Sequence, residues 1–360
     1  MTPRGGSQFT MEGMQILAME SFDRGSHRQF REVLTQHSGH HWHWITNDGT
    51  PWKWSMRLGG LLPLGNFPVP DLFFCTSLLD VAVARTQVEA KIGRRVPTVL
   101  YMHENQVEYP DDPERESDRR DVHFALTNLN SIFAADLVLW NSRWNLESFL
   151  AGLEQILQPC RGIPFDGLQE RIRSRSNVAW CPVEVPHPEW PSPIEPSDVP
   201  LVVWPHRHEH DKGPDLLLEL ARSHRNIPIR WALLGERFDR VPEAMKGFRE
   251  EFADSIVFDD YPNRRIYESI IASADWVCST ARHEFFGLSV VEAMLAGCMP
   301  WVPAGLSYRE LLPAAARGLS PALPPKDSAA VTEQIRWHLG AAEAPNATRR
   351  IDSLLESIAE

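Results

Sequence analysis

Apolar runs and helical segments alternate along the chain, and this alternation predicts its secondary structure. The apolar runs at residues 71–75 and 97–102 are typical of strands buried in a parallel sheet. We predict further strands at residues 14–20, 135–140, 178–182, 201–205, 229–235, 255–258, 276–279 and 299–303, with helices after most of them. Repeated βα units of this kind predict an α/β fold, in which ligands bind beyond the carboxyl ends of the strands.

A proline-rich segment separates the first five predicted strands from the last five. Residues 182–200 contain seven prolines, so this segment is the best candidate for an interdomain linker. We therefore divide the chain into a flexible extension (1–13), an N-terminal Rossmann-like domain (14–195), a C-terminal Rossmann-like domain (196–330) and C-terminal helices (331–360). These last helices can pack back on the first domain.

The segment at residues 279–297 carries the most informative pattern, a strand followed by a turn and a helix. Gly287 stands where the helix would begin, and a helix start offers unpaired N–H groups and a positive dipole end to a phosphate. Glu284 and Glu292 lie eight positions apart on either side of that point, where they can accept hydrogen bonds from sugar or ribose hydroxyls. An ordinary βα unit with one capping and one surface glutamate explains this pattern equally well.

Other predicted strand ends also carry polar or flexible residues. Gly25 and Ser26 follow the first strand and allow a ligand to approach the backbone, although a plain βα turn explains them too. His103 follows the strand at 97–102, where an imidazole can donate or accept a hydrogen bond or transfer a proton.

The second series of strands carries two cations. Arg207 and Lys212 flank a turn five residues apart, as two cations that hold a diphosphate would. Gly235 ends the strand at 229–235, and the loop after Phe258 offers a place for a nucleotide base.

Clusters of histidine and tryptophan invite a metal or stacking interpretation. The histidines at positions 37, 40, 41 and 43 fit no standard zinc spacing, and those at 206, 208 and 210 lie beside two cations that would oppose a metal. We therefore predict no metal site. The pairs Trp42/Trp44 and Trp52/Trp54 would each place two indoles on one face of an extended segment. Core packing is the simpler explanation, and a stacking platform for a base or sugar is the alternative.

Composition limits the class of protein. The chain has 360 residues, enough for two α/β domains, and no uncharged apolar run long enough to cross a membrane or signal core at the N-terminus. Its five cysteines form no CxxC pair, which favours free thiols in a reducing cytoplasm. The net charge of −12 provides no global basic field for a nucleic acid. Local basic patches lie at Arg24/Arg28/Arg31, Arg94/Arg95, Arg161/Arg171/Arg173/Arg175 and Arg264/Arg265.

Four sequence blocks support a family resemblance. The blocks are MESFDRGSH at 19–27, LYMHENQ at 100–106, VWPHRHEHDK at 203–212 and STARHEFFG at 279–287. The spacing of Glu284 and Glu292, with Arg207 and Lys212 before them, resembles the E-x7-E pattern of retaining glycosyltransferases with GT-B architecture. The four blocks together, in this order, resemble the tRNA-queuosine α-mannosyltransferase family over most of residues 14–320.

The resemblance implies a retaining transfer of mannose from GDP-mannose to the queuosine base of a tRNA anticodon, without a metal cofactor. It implies that the first domain receives the acceptor and that the second binds the nucleotide sugar. Arg207 and Lys212 would bind the diphosphate, Gly25, Gly287 and Leu288 would lie at the phosphates, Glu292 would bind the ribose and Glu284 the donor sugar. His103 would contact the sugar or the acceptor.

Two alternatives stay open from the sequence. One is a GT-B transferase with another nucleotide-sugar donor, or with a lipid or glycan as its acceptor. The other is a non-catalytic module that binds a nucleotide sugar or RNA. The presence of Arg207, Lys212, Glu284 and Glu292 together favours an enzyme, since a module without activity does not need all four.

Overall fold

Two parallel sheets organise the structure, which is a computed structural model. It describes residues 13–107, 122–160, 165–187, 190–237 and 241–359. The first sheet has the strand order β2-β1-β3-β4-β5-β6, and the second has the order β11-β10-β7-β8-β9. Their strands are β1 (Gln15–Glu20), β2 (His41–Thr46), β3 (Leu72–Thr76), β4 (Thr98–Met102), β5 (Leu137–Trp140), β6 (Ser176–Val178), β7 (Leu201–Trp204), β8 (Arg230–Leu233), β9 (Ile256–Asp259), β10 (Trp276–Cys278) and β11 (Met299–Trp301).

Helices connect the strands, as parallel pairing requires. Those of the first series are α1 (Gly25–His37), α2 (Trp52–Leu58), α3 (Val81–Ile92), α4 (Val122–Ala134), α5 (Arg143–Leu157) and α6 (Leu168–Arg173). Those after β7 are α7 (Pro214–Ser223), α8 (Glu243–Glu251), α9 (Arg264–Ser273), α10 (Leu288–Ala296), α11 (Tyr308–Leu311), α12 (Ser328–Leu339) and α13 (Ala344–Ala359). The α/β class predicted from the alternating pattern is confirmed.

Strand register brings the predicted functional loops to one edge of each sheet. In the first sheet Glu20 pairs with Thr46, Met19 with Cys75 and Met102 with Trp140, so all these strands end at the same level. The central strands β3, β4 and β5 are buried along their whole length, which explains their unbroken apolar sequences. Polar side chains that follow the strands therefore collect at one edge.

The C-terminal helices pack in two different places. Helix α13 packs on α1 of the first series, and Asp352 accepts hydrogen bonds from Ser38 Oγ at 2.8 Å and Gly39 N at 2.9 Å. A parallel bridge between Val183 and Glu343 lies beside this contact. Helix α12 packs on α10 instead, next to the second sheet. The final helix thus fastens the end of the chain to its beginning.

Several local predictions were wrong. Trp52 and Trp54 lie in helix α2, which Pro51 precedes, and not in an extended segment. Only the pair Trp42/Trp44 is extended, and its indoles stack with centroids 5.2 Å apart against Phe74 of the core. The strand predicted at 178–182 is instead β6, which spans Ser176–Val178 and ends four residues before Pro182.

Two features predicted from composition lie in the described part of the chain. Cysteines 75, 181, 278 and 298 are buried and Cys160 is exposed, all of them as free thiols. Among the described helices, none has an apolar stretch that could span a bilayer. The predicted extension lies outside the described residues apart from position 13, as does Arg161.

The contact between α13 and α1 provides a test of this packing. Ile351 is fully buried on α13, and we expect Ile351→Ala to lower the free energy of unfolding by about 2–5 kcal/mol because it leaves a cavity. Chemical denaturation measures the change, with Arg350→Ala on the exposed face of the same helix as the control. Equal stability of the two variants would contradict the packing.

Candidate active site

A cavity lies between the carboxyl edges of the two sheets, and residues of both chain halves line it. Seven of the ten predicted site residues line this cavity. The lining consists of Ser26, His27, His103, Glu104, Asn141, Cys181, Arg207, Asp211, Lys212, His283, Glu284, Phe285, Phe286, Gly287 and Leu288. The fold therefore gathers loops that are up to 262 positions apart in sequence, from Ser26 to Leu288.

Lys212 forms the centre of the charged wall of the cavity. Its Nζ lies 3.1 Å from Glu284 Oε2 and 3.2 Å from Asp211 Oδ2, and it donates to the carbonyl of His283 at 3.3 Å. Burial alone would lower the pKa of Lys212, but the carboxylates of Glu284 and Asp211 outweigh burial and raise that pKa. The ammonium group is therefore charged at neutral pH, and it faces a cavity suited to an anion.

Arg207 supplies a second and more accessible cation. Its guanidinium lies 2.9 Å from Glu209 and 3.9 Å from Asp211, and its side chain is about half exposed, at 47%. Burial raises the pKa of Asp211, but Lys212 and Arg207 outweigh this effect and lower it, so Asp211 is an anion that holds both cations. The two cations predicted from their spacing thus lie in one charged network.

The turn before α10 has the backbone geometry that an anion site requires. Gly287 has a φ of +84° in the left-handed region, and a Cβ there would meet the Tyr308 ring at 3.1 Å, so a side chain is strained at this position. Its N–H donates to Glu284 Oε1 at 3.0 Å, and α10 begins at Leu288. Glu284 therefore bridges Lys212 and the helix start, where it occupies groups that a phosphate can take over.

Glu292 does not line this cavity, although it lies on α10 as predicted. Its Oε1 accepts from Arg264 Nη1 at 2.6 Å and from Gln29 Nε2 at 2.6 Å, and its Oε2 accepts from Tyr267 at 3.1 Å. Gln29 belongs to α1, so this bond joins the two halves of the chain. A ribose bound at Glu292 has to share the carboxylate with Arg264 and Tyr267 or replace Gln29.

His27 and His103 line the opposite wall and form a buried cluster with Glu20. His27 Nδ1 lies 3.0 Å from Glu20 Oε2, and His103 Nε2 lies 4.0 Å from the same oxygen. Burial opposes the charge of His27, but Glu20 outweighs it and raises the pKa of His27. Burial and the nearby charge of His27 lower the pKa of His103 well below its usual range. The cluster therefore favours the charged form of His27 beside Glu20 and the uncharged form of His103.

This cluster is also the group of described side chains that could hold a metal ion. The ligating atoms of Glu20, His27 and His103 all lie within 4.8 Å of one another. The hydrogen bond between His27 and Glu20 already uses two of these atoms.

The alternating histidines after β7 have separate partners. His206 forms a hydrogen bond with Ser279 at 2.9 Å, and His208 Nδ1 lies 3.2 Å from an Arg249 nitrogen.

The remaining predicted residues have different surroundings. Gly25 begins α1 with a φ of +48° and has open space around its Cβ position, next to Ser26 in the cavity wall. Gly235 lies so close to the His206 carbonyl that a Cβ would stand 1.6 Å from the oxygen. Backbone packing at this edge of the second sheet therefore requires a glycine at position 235, whether or not a ligand binds nearby.

Sequence reasoning missed several residues of the site. Glu20 and His27 belong to the quoted block at 19–27, but neither of them was given a role in the site from the sequence. Glu104 lines the cavity as a half-buried side chain, desolvation raises the pKa of its carboxyl, and Gln106 donates to it at 2.7 Å. The position of all three at or after a strand end was the available signal. The bond from Gln29 to Glu292 has no signal in sequence spacing.

Comparison with known proteins identifies the family. The family model "tRNA-queuosine alpha-mannosyltransferase N-terminal" matches residues 15–183, and "Glycosyl transferases group 1" matches residues 189–350. The tRNA-queuosine alpha-mannosyltransferase of Drosophila melanogaster is 31% identical over 314 residues, which cover 83% of this chain and 81% of the fly protein. The chain belongs to the tRNA-queuosine α-mannosyltransferase family. It is a glycosyltransferase, as the resemblance of the four blocks implied.

Solved structures with low sequence identity share the fold. An Anabaena protein in complex with UDP and glucose has a TM-score of 0.54 at 18% identity, with 95% of each chain covered. Sucrose-phosphate synthase from Thermosynechococcus elongatus has a TM-score of 0.57 at 16% identity, with 96% of each chain covered. These likenesses support the predicted GT-B fold for this member of the family.

The buried pair of Glu20 and His27 predicts a pH dependence of stability. Because the folded pKa of His27 is raised, the pair contributes fully below the unfolded value of about 6.5 and is lost as pH rises through the folded value. We expect the stability difference between wild type and His27→Gln to shrink as pH rises above about 6.5. Denaturant unfolding across this range measures it, with exposed His187→Gln as the control. A constant difference would contradict the charged pair.

Proposed function

We propose that the protein transfers mannose from GDP-mannose to the queuosine base of a tRNA anticodon, with retention at the anomeric carbon. One observation carries the proposal, namely the cavity that sets His103 of the first domain against Arg207, Lys212, Glu284 and Gly287 of the second. The similarity to the fly enzyme over most of both chains supports the acceptor and the sugar. The donor nucleotide is our inference from the family resemblance.

The charged wall suits a nucleotide diphosphate as the leaving group. Lys212 and Arg207 supply two positive charges, and the start of α10 adds backbone N–H groups and its dipole at Gly287. A diphosphate bound there would displace Glu284 from Gly287, which frees a carboxylate oxygen for hydroxyls of the sugar. Fixed cations then stabilise the departing charge, so we propose that the enzyme needs no metal cofactor.

The opposite wall suits the acceptor. His103 is uncharged at neutral pH, and its Nε2 forms no hydrogen bond to any described residue. A neutral imidazole can orient a hydroxyl of the sugar or of the acceptor without repelling a cationic neighbour. In the proposed reaction the acceptor oxygen bonds to the anomeric carbon as the bond to the phosphate oxygen breaks, and its proton passes to the departing phosphate. The proposed location of the enzyme is the cytoplasm.

The proposed reaction predicts a specific change in tRNA. We expect incubation with GDP-mannose to add one hexose to the queuosine nucleoside, as measured by mass after digestion of the tRNA. UDP- and ADP-sugars, and tRNA that carries guanosine instead of queuosine, are the controls. Hexose transfer from a different nucleotide sugar would overturn the donor, and GDP release without a gain of mass on the tRNA would overturn the acceptor.

The two cations predict a large loss of activity when either is removed. We expect Lys212→Ala and Arg207→Ala to lower kcat about 100-fold or more, because each removes a charge that stabilises the leaving group. Lys246→Ala, on the exposed surface of α8, is the matched control and should retain the wild-type rate. EDTA should leave the rate unchanged. Near-normal turnover of both cavity variants would show that the cations are misassigned, and a loss restored by one divalent ion would show a metal requirement.

A further inference from the structure

The order of strands and helices places some basic residues of this acidic chain at the amino ends of the strands and others at the carboxyl ends. Arg94 and Arg95 precede β4, and Arg171, Arg173 and Arg175 precede β6, so these groups lie at the amino ends of strands. The cavity opens at the carboxyl ends. Among the residues of the four basic patches that the structure describes, those at the starts of α1 and α9 therefore lie at the cavity edge. A polyanion that delivers its base to the cavity meets that edge.

The start of α9 is largely committed to other contacts. Arg264 bonds Glu268 and Glu292 at 2.6 Å each, and the guanidinium of Arg265 lies 4.1 Å from the ring centre of Trp190. The start of α1 carries two further basic side chains, Arg24 and Arg28, which are exposed. Arg28 also donates to the Asp23 carbonyl at 3.1 Å. Both arginines contact the loop at Asp48, which leads directly into α2. The cationic edge of the first domain thus continues into that helix.

Helix α2 is fixed on the cavity edge of the first sheet. Its inner side chains Trp52 and Met56 pack in an apolar cluster with Phe22, Leu78 and Phe124. Phe22 in turn contacts the ring of His27, with centroids 5.7 Å apart. Immediately after α2, Gly59 lies so close to Ser21 that a Cβ would stand 2.4 Å from the serine Cβ. These contacts hold α2 beside the first-domain wall of the cavity, to which Phe22 connects it through His27.

The outer face of α2 exposes more apolar side chain than is usual on a protein surface. Trp54 is 57% exposed and Leu58, one turn further on, is 50% exposed. Lys53 and Arg57 are also spaced by four residues, so they form a basic stripe beside the stripe of Trp54 and Leu58. The Lys53 ammonium lies 5.6 Å from the ring centre of Trp52, and the Arg57 guanidinium lies 4.7 Å from that of Phe124, so both cations stay at the surface next to aromatic rings. Exposed aromatic surface beside cations is the composition with which proteins hold single-stranded nucleic acid.

We propose that the outer face of α2, together with Arg24 and Arg28, binds unpaired nucleotides of the anticodon loop of the acceptor tRNA. Trp54 stacks on a base, and Lys53 and Arg57 contact phosphates, while the base to be modified enters the cavity beyond His27. The proposal rests on the proposed function, which makes tRNA the acceptor. The adjacent cations favour a polyanion over a protein partner, for which the apolar patch alone would suffice.

Affinity for tRNA tests the stacking residue directly. We expect Trp54→Ala to weaken binding of queuosine-containing tRNA to the full-length protein about tenfold, measured by fluorescence anisotropy without donor. Trp337→Ala is the matched control, because Trp337 is 84% exposed on α12 beside the other sheet. In steady-state transfer, Trp54→Ala should raise the KM for tRNA and leave kcat and the KM for the donor unchanged.

Salt dependence tests the cations. We expect the double variant Lys53→Ala/Arg57→Ala to reduce the slope of log affinity against log salt by about one to two, because two phosphate contacts are lost. The exposed pair Arg349→Ala/Arg350→Ala on α13 removes the same charge elsewhere and should change the slope less.

The outcomes separate this surface from the function itself. Wild-type affinity and wild-type salt slope in the α2 variants, with transfer to tRNA intact, would overturn the surface and leave the function standing. Absence of tRNA binding and modification in the wild-type protein would overturn the function. A Trp54→Ala variant that dissociates a dimer in sedimentation, with unchanged affinity for tRNA, would overturn the proposal in favour of a contact between two copies of the chain.

Discussion

The buried ammonium of Lys212 is the interaction on which the geometry of the cleft depends. It holds Glu284 and Asp211 within 3.2 Å, and through Glu284 it reaches the N–H of Gly287 at the start of α10. A cation in such surroundings is costly unless anions surround it. The protein's own carboxylates supply that charge here. A diphosphate can replace part of this arrangement without requiring a new cation, so the site is organised before a ligand arrives.

The two walls of the cavity favour opposite charge states of their basic side chains. The wall of the second domain keeps its cations charged by pairing them with Asp211 and Glu284. The wall of the first domain keeps His103 uncharged, because burial and the charge of His27 both disfavour its protonation. Glu20 stabilises that charge on His27. In the proposed reaction, a charged leaving group and a neutral acceptor hydroxyl would thus each face a wall of suitable polarity.

The sequence was informative where chemistry coincides with strand ends. The meeting of Arg207, Lys212, Glu284 and His103 at one cavity was predictable, because the carboxyl ends of parallel strands share one edge.

The sequence did not reveal the hydrogen-bond partners of Glu292. One of them, Gln29, lies 263 positions away, and no sequence period connects the two residues. The sequence also misled at Trp52 and Trp54. Their alternation suggests an extended segment, but packing of Trp52 against Phe22 and Phe124 fixes a helix there.

The net charge of −12 presents less difficulty for a polyanionic acceptor than the sequence suggests. Electrostatic interactions in solution are largely screened beyond about 8–10 Å at physiological salt, so distant acids repel a bound phosphate only weakly. The order of strands and helices places Arg94, Arg95 and Arg171 away from the cavity edge, whereas Arg24, Arg28 and Arg207 lie on it. Contact charges decide local affinity, and an acidic surface elsewhere disfavours nonspecific binding. A negative total charge is thus compatible with a basic cleft edge that contacts the phosphates of a polyanionic acceptor.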